Sequence, residues 1–150
     1  MSQENVELVR AFIPTPDTDI AALLRDESLL EATKETLTPL LHPELESVGA
    51  WQGGTVYIGV DGFINMWSDW LEPWATYHVG TDGFLDAGDQ VVALARDRGR
   101  PHDVEAEVEL VSASVWTVRE AKIVRVEFFG NRTDGLEAVG LSEQDAHAES

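Results

Sequence analysis

The chain has 150 residues, a length that suits one domain with a sizeable core, and 43% of them are hydrophobic, five being Trp. Ten Lys and Arg stand against 28 Asp and Glu, a formal charge of −18 that repels nucleic acid and anionic lipid. The absence of Cys excludes disulfides, thiolate metal sites and Cys nucleophiles.

Val6, Val9, Phe12 and Ile13 recur at helical spacing, and Pro14 ends that segment by forcing the preceding residue out of helix. Ile20, Leu23 and Leu24 make one further apolar turn. Ser28 with Glu31 reads as a capping box opening a helix through Leu29, Leu30 and Leu37, which Pro39 closes. Residues 45–50 read as a short strand and 51–54 as a loop. Asp61 is then positioned to cap a helix whose Phe63, Met66, Trp67, Trp70, Leu71 and Trp74 share one side, with a kink or ragged end at Pro73.

From His78 the period becomes 2. Antiparallel strands are expected at 91–98, 104–118 and 123–129, with turns at 86–89, 99–103 and 119–122. Asn131 caps a last short helix ending at Gly140 or just after Leu141. The domain is therefore placed at 1–141, with 142–150 as a flexible acidic tail. No apolar run is long enough to span a membrane, and the charged start MSQENVELVR lacks the run a signal peptide needs, so the expected compartment is the cytoplasm.

The last turn sets which side chains look inward. A two-residue loop at Glu120 and Ala121 demands positive φ twice, so a three-residue loop pairing Val118 with Lys122 is expected. Leu110, Ser112, Ser114, Trp116, Val124, Val126 and Phe128 then share one face. The opposite face, with Val111, Ala113 and Val115, is also too apolar for water, and an identical subunit is its expected cover, making a homodimer.

The helices, the HPEL segment at 42–45, the Trp-rich helix, DAGDQVVALARDRGR, VWTVREAKIVRVEFF and the terminal LEAVGL together resemble the SnoaL-like (polyketide cyclase-like) branch of the nuclear transport factor 2-like superfamily. The resemblance runs from Val6 to Leu141. It implies an α+β, cystatin-like roll, in which a strongly curved antiparallel sheet wraps around N-terminal helices as a cone and leaves a pocket. It also implies a homodimer. Members include polyketide cyclases, ketosteroid isomerases, limonene epoxide hydrolases, dehydratases and proteins without known chemistry, so fold alone does not assign function.

Carried across residue by residue, the resemblance removes titratable groups. The epoxide hydrolase pattern asks for an Arg and an Asp two apart on one strand and an Asp on the last strand, and those positions hold Arg96, Arg98 and Phe128. The His frequent in relatives is Ser114. The Asp-Gly-Lys turn becomes Glu120, Ala121 and Lys122, and the Tyr and Asp after the last strand become Phe129 and Asn131.

Arg96 and Arg98 follow Val92 and Leu94 on one strand face, the face the family turns toward its pocket, where guanidinium would hold an oxyanion. They could equally pair with the Glu105, Glu107, Glu109 row. Trp67, Trp70 and Trp74 with Trp116 and Phe128 could wall a cavity for a flat ligand or simply fill core. His78 is the remaining proton-transfer candidate, alongside water held by Ser112 or Ser114. No His pair has metal-ligand spacing, and no cofactor motif is present. The expectation is a pocket for a small apolar molecule bearing a carbonyl or anionic oxygen. It serves either cofactor-independent isomerase, cyclase or lyase-like chemistry or plain binding and dimerisation.

Overall fold

The computed structural model describes residues 2–49 and 53–142. Ala50, the last residue of the expected first strand, and nearly all of the expected tail lie outside that range. Helix α1 (Ser2–Phe12) ends just before Ile13 and Pro14. Helix α2 (Ile20–Arg25) is capped by Asp19, whose Oδ1 accepts from the amides of Ala21 (3.1 Å) and Ala22 (3.4 Å). Helix α3 (Glu27–Leu37) is capped two residues before the expected Ser28, because the Asp26 carboxylate accepts from the Leu29 amide at 3.0 Å. A 3-10 turn at Thr38–Leu40 leads into the sheet.

The strands are β1 (Leu41–Gly49), β2 (Val56–Ile58), β3 (Trp74–His78), β4 (Thr81–Ala87), β5 (Gln90–Pro101), β6 (Val108–Arg119) and β7 (Lys122–Phe129), with helix α4 (Gly59–Leu71) between β2 and β3 and α5 (Arg132–Ala138) at the end. The sheet order is β2-β1-β7-β6-β5-β3, with β4 also pairing β5. It is mixed: β1 runs parallel to β7 and the other pairs are antiparallel. Bulges in the β1–β7, β3–β5, β4–β5 and β6–β7 ladders curve the sheet, and it does not close.

The inner face packs Val91 and Ala93 of β5, Trp116 and Val118 of β6, and Val126 of β7 against Val9 and Phe12 of α1 and Phe63 and Met66 of α4. The outer face gathers Leu85, Val92, Leu94, Ala113 and Val115 under Leu136 of α5. The C-terminal helix thus covers much of the face for which a second subunit was expected, although Val111 stays 41% exposed there.

Three local expectations are corrected. Glu120 (φ 51°) and Ala121 (φ 63°) both adopt the left-handed conformation, so the last turn has two residues, with Arg119 paired to Lys122. A bulge one pair further on then sets Trp116 opposite Val126 and Ser114 opposite Phe128, which returns these side chains to the expected common face. The second correction is the α4 cap: Asp61 lies in the first turn, and Ile58 at the N-cap position makes no side-chain cap bond. Third, α4 stops at Leu71 ahead of Pro73, so Trp74 opens β3 and is not on the helix face.

Candidate functional site

Between the helices and the inner face lies a cavity of about 240 Å³. An apolar cavity of roughly 150 Å³ holds benzene, so this one suits a one- or two-ring molecule. Trp67 and Trp70 of α4, Phe12 of α1, Phe63 of α4 and Trp116 and Phe128 of the sheet contribute its aromatic wall. Their rings meet edge to face: Phe12 and Trp116 at 5.1 Å, Trp67 and Phe128 at 5.3 Å, Trp116 and Phe128 at 5.9 Å. Leu110, Ser112 and Ser114 also line it, and the Ser114 Oγ accepts from the Trp116 indole N–H at 2.8 Å.

The structure thus brings Trp67, Trp70, Leu110, Ser112, Ser114, Trp116 and Phe128 together at the cavity. Val126 is fully buried behind that wall, and Trp74 packs beside Tyr77 at 5.3 Å, and neither lines it.

Arg96, Arg98 and His78 are placed differently from expectation. Alternate β5 residues Ala93, Ala95 and Asp97 line the cavity, so Arg96 and Arg98 point to the outer side with Val92 and Leu94. Arg96 is 42% exposed and meets Asp82 and Glu109, each at 2.8 Å. Arg98 reaches Glu107 at 3.5 Å, and also the Pro16 carbonyl. The glutamate row is therefore what the arginines serve. His78, directly across from Arg98, has its Nδ1 3.1 Å from the Pro16 carbonyl and takes no part in the cavity wall.

Asp97, between the two arginines, is the residue that the sequence reading missed. It is 7% exposed and faces the cavity. Its Oδ2 accepts from the Tyr77 hydroxyl at 2.8 Å, while its Oδ1 has no hydrogen-bond partner. Ser47 Oγ and Trp74 Nε1 are likewise buried and unpartnered, but of the three residues only Asp97 lines the cavity. Burial pushes the Asp97 carboxyl up to about 6, against the pull of the Tyr77 hydroxyl and the Gly80 amide, which favour the ionised form. Both protonation states are thus populated near neutral pH.

Tyr77 is itself held from several sides. Its amide donates to Asp19 Oδ1 at 3.0 Å, which ties β3 to the cap of α2. Arg25 donates to the carbonyls of Leu71 (2.8 Å) and Trp74 (2.7 Å), fixing the α4–β3 corner. Burial raises the phenol well above its ordinary range, with the Asp97 charge adding to this, and a hydrogen bond with Trp70 opposes it. The phenol therefore stays protonated and orients the carboxyl. Among the described residues no group of three or more His, Asp or Glu could hold a metal ion, and no helix is long and apolar enough to cross a membrane.

A family model described as a SnoaL-like domain matches residues 24–126. No curated protein sequence matches the chain. Among solved structures, TerC co-crystallised with polyporic acid superposes with a TM-score of 0.64 at 19% identity, covering 91% of this chain and 98% of that one. A protein from Jannaschia sp. CCS1 described as a SnoaL-like polyketide cyclase gives 0.64 at 17% identity, over 85% of each chain. An epoxide hydrolase of the LEH-like type from M. tuberculosis gives 0.58 at 14% identity, over 99% of this chain and 98% of that one. At such identities the likeness speaks for the fold.

Proposed function

The chain belongs to the SnoaL-like domain family, and from that premise we propose that it is a cofactor-independent enzyme that moves a proton within a small, flat, mainly apolar molecule. The observation that carries this reading is the Asp97 carboxyl, buried in an aromatic cavity with one oxygen held by Tyr77 and the other free. A base works best when its pKa lies near the operating pH, and burial raises Asp97 into that range. Asp97 takes a proton from carbon and returns it, Tyr77 fixes the carboxyl's orientation, and the aromatic wall excludes water. Isomerisation, cyclisation and dehydration all share that first abstraction. Cyclisation, the function named for one structural relative, can use that step, whereas epoxide hydrolysis, named for another, adds water and does not.

One observation favours a second reading, a binding module without turnover: none of the described lining residues is Arg, Lys or His. The two are separated by following deuterium uptake from D₂O into a panel of one- and two-ring carbon acids, neutral and cationic, by NMR. The enzyme reading expects at least one member to exchange about a hundredfold faster with the native protein than with Asp97→Asn. Binding without exchange across the whole panel establishes the module. The proposal includes a homodimer seated on the outer face around exposed Val111, which sedimentation velocity checks; a monomer at micromolar concentration removes it.

A further inference from the structure

The cavity offers a base and very little to receive negative charge. The guanidinium groups beside it are spent elsewhere, Arg25 on the carbonyls of Leu71 and Trp74. Arg96 is bound by Asp82 and Glu109 and Arg98 by Glu107. Arg132 donates to Asp82 at 2.7 Å and to the carbonyls of Ala95 (3.0 Å) and Ser112 (3.3 Å), pinning α5 onto the outer face. Inside, the described lining provides as side-chain donors, besides Tyr77 with its proton committed to Asp97, only neutral groups: the hydroxyls of Thr81, Ser112 and Ser114 and the indole N–H groups of Trp67, Trp70 and Trp116, the last given to Ser114.

We infer that the substrate is an organic cation, a one- or two-ring iminium or protonated imine, whose α-carbon proton is taken by Asp97. This rests on the proton-transfer reading above and adds the charge of what is processed. Taking a proton from a neutral ketone moves the negative charge from the carboxylate onto an enolate oxygen, which requires strong, preorganised donors. The described lining has no cationic donor, only neutral hydroxyl and indole groups.

With an iminium the electrostatics reverse. The C–H bond α to C=N⁺ breaks, its electron pair becomes the C=C bond of an enamine, the C=N π pair withdraws onto nitrogen, and the proton goes to Asp97 Oδ1. One positive and one negative charge disappear together, which low-polarity surroundings favour because separated charges are costly there. Return of the proton from Asp97 to the same carbon gives exchange, and its return to the far carbon of a conjugated dienamine, which restores C=N⁺, completes an isomerisation.

Two further features agree. Phe12, Phe63, Trp67, Trp70, Trp116 and Phe128 surround the space, and aromatic rings stabilise an enclosed cation. The −18 charge of the chain concentrates cations around it and repels anions. A carboxylate ligand would meet a buried like charge with no cation to offset it.

The test uses three molecules of similar shape: a protonated dihydroisoquinoline bearing a methyl group on its imine carbon, α-tetralone, and naphthoate. Deuterium uptake at the α-carbon is followed by NMR for the first two, and Trp fluorescence quenching reads the binding of all three. The iminium should exchange about a hundredfold faster with the native protein than with Asp97→Asn, while α-tetralone stays at the buffer rate and naphthoate fails to quench. Circular dichroism checks that the variant is folded. Tyr77→Phe supplies a second test, since it keeps the carboxyl but removes a bond favouring the ionised form, so its pH–rate profile for the iminium should move upward. If α-tetralone exchanges as fast as the iminium, the inference about charge is overturned and the proton-transfer reading stands. If neither is accelerated, both are overturned.

Discussion

Replacing Asp97 by Asn keeps the shape of the side chain and removes its titration, which isolates what the buried charge costs. The carboxyl rises from an ordinary 3.8 to about 6 in the folded protein. At about 1.4 kcal/mol per pKa unit, ionising it in place costs about 3 kcal/mol. Below the unfolded value Asp97 is protonated in both states and nothing is lost. Between 3.8 and about 6 the folded protein keeps a proton that the unfolded chain has released, so stability falls as pH rises, and above about 6 the loss is complete. Asp97→Asn lacks this dependence. Whatever its offset in acid, its unfolding free energy relative to the native protein should rise by about 3 kcal/mol between about pH 3 and about pH 7. About 1 kcal/mol corresponds to about 2–4 °C in Tm for a chain of this size, so the difference in Tm should widen by about 6–12 °C. Scanning calorimetry of the two proteins at matched ionic strength measures this, and taking the difference cancels the repulsion among the other carboxylates. A constant difference across the range would mean that Asp97 titrates like a carboxylate in water.

Tyr77→Phe should leave the fold intact at a cost of about 1–3 kcal/mol, since it leaves Asp97 Oδ2 without its donor, and urea unfolding at neutral pH reads that loss. Gly99→Ala should cost about 1–3 kcal/mol in the same assay, because a Cβ there would lie 2.5 Å from Trp74 Cε3 and 2.9 Å from Tyr77 Cδ2. Arg96→Ala should leave deuterium exchange unchanged and cost no more than about 1 kcal/mol, since its partners are exposed ion pairs. A collapse of turnover in that variant would place the guanidinium back in the site.

Much of the fold is legible in the sequence because its signals are local. Pro14 stops α1, and Asn131 caps α5 by accepting from the Asp134 amide at 2.9 Å, whereas the change of period at His78 falls at the end of β3, after β1 and β2 have already joined the sheet. The candidate site is less legible because it depends on the phase of β5. Val91, Val92, Ala93, Leu94 and Ala95 are apolar on both faces, since α1 and α4 cover one and α5 the other, so alternation cannot tell inside from outside. Reading Val92 and Leu94 as inward turns Arg96 and Arg98 into the cavity and Asp97 out of it, the reverse of what is found. The missing signal is cross-strand. Asp97 lies directly opposite Leu110, which was read as inward, and opposed residues share a face. No tight turn fixes that register, because residues 102–107 separate β5 from β6. Beyond the β6–β7 turn the face of Val126 and Phe128 is right although the loop is not, because a tighter turn and a bulge offset each other, but next to the turn Ile123, opposite Val118, takes the inward place expected for Val124. The parallel pairing of β1 with β7 joins segments far apart in sequence, beyond the reach of local periodicity.

Carbon-detected NMR titration of the Asp97 side chain, assigned by comparison with Asp97→Asn, measures whether a carboxyl inside this aromatic cavity meets the ligand. A midpoint near 6 in the free protein, falling when the methylated dihydroisoquinolinium is added, is the expected result. A midpoint at the ordinary 3.8, unmoved by that cation, would contradict it.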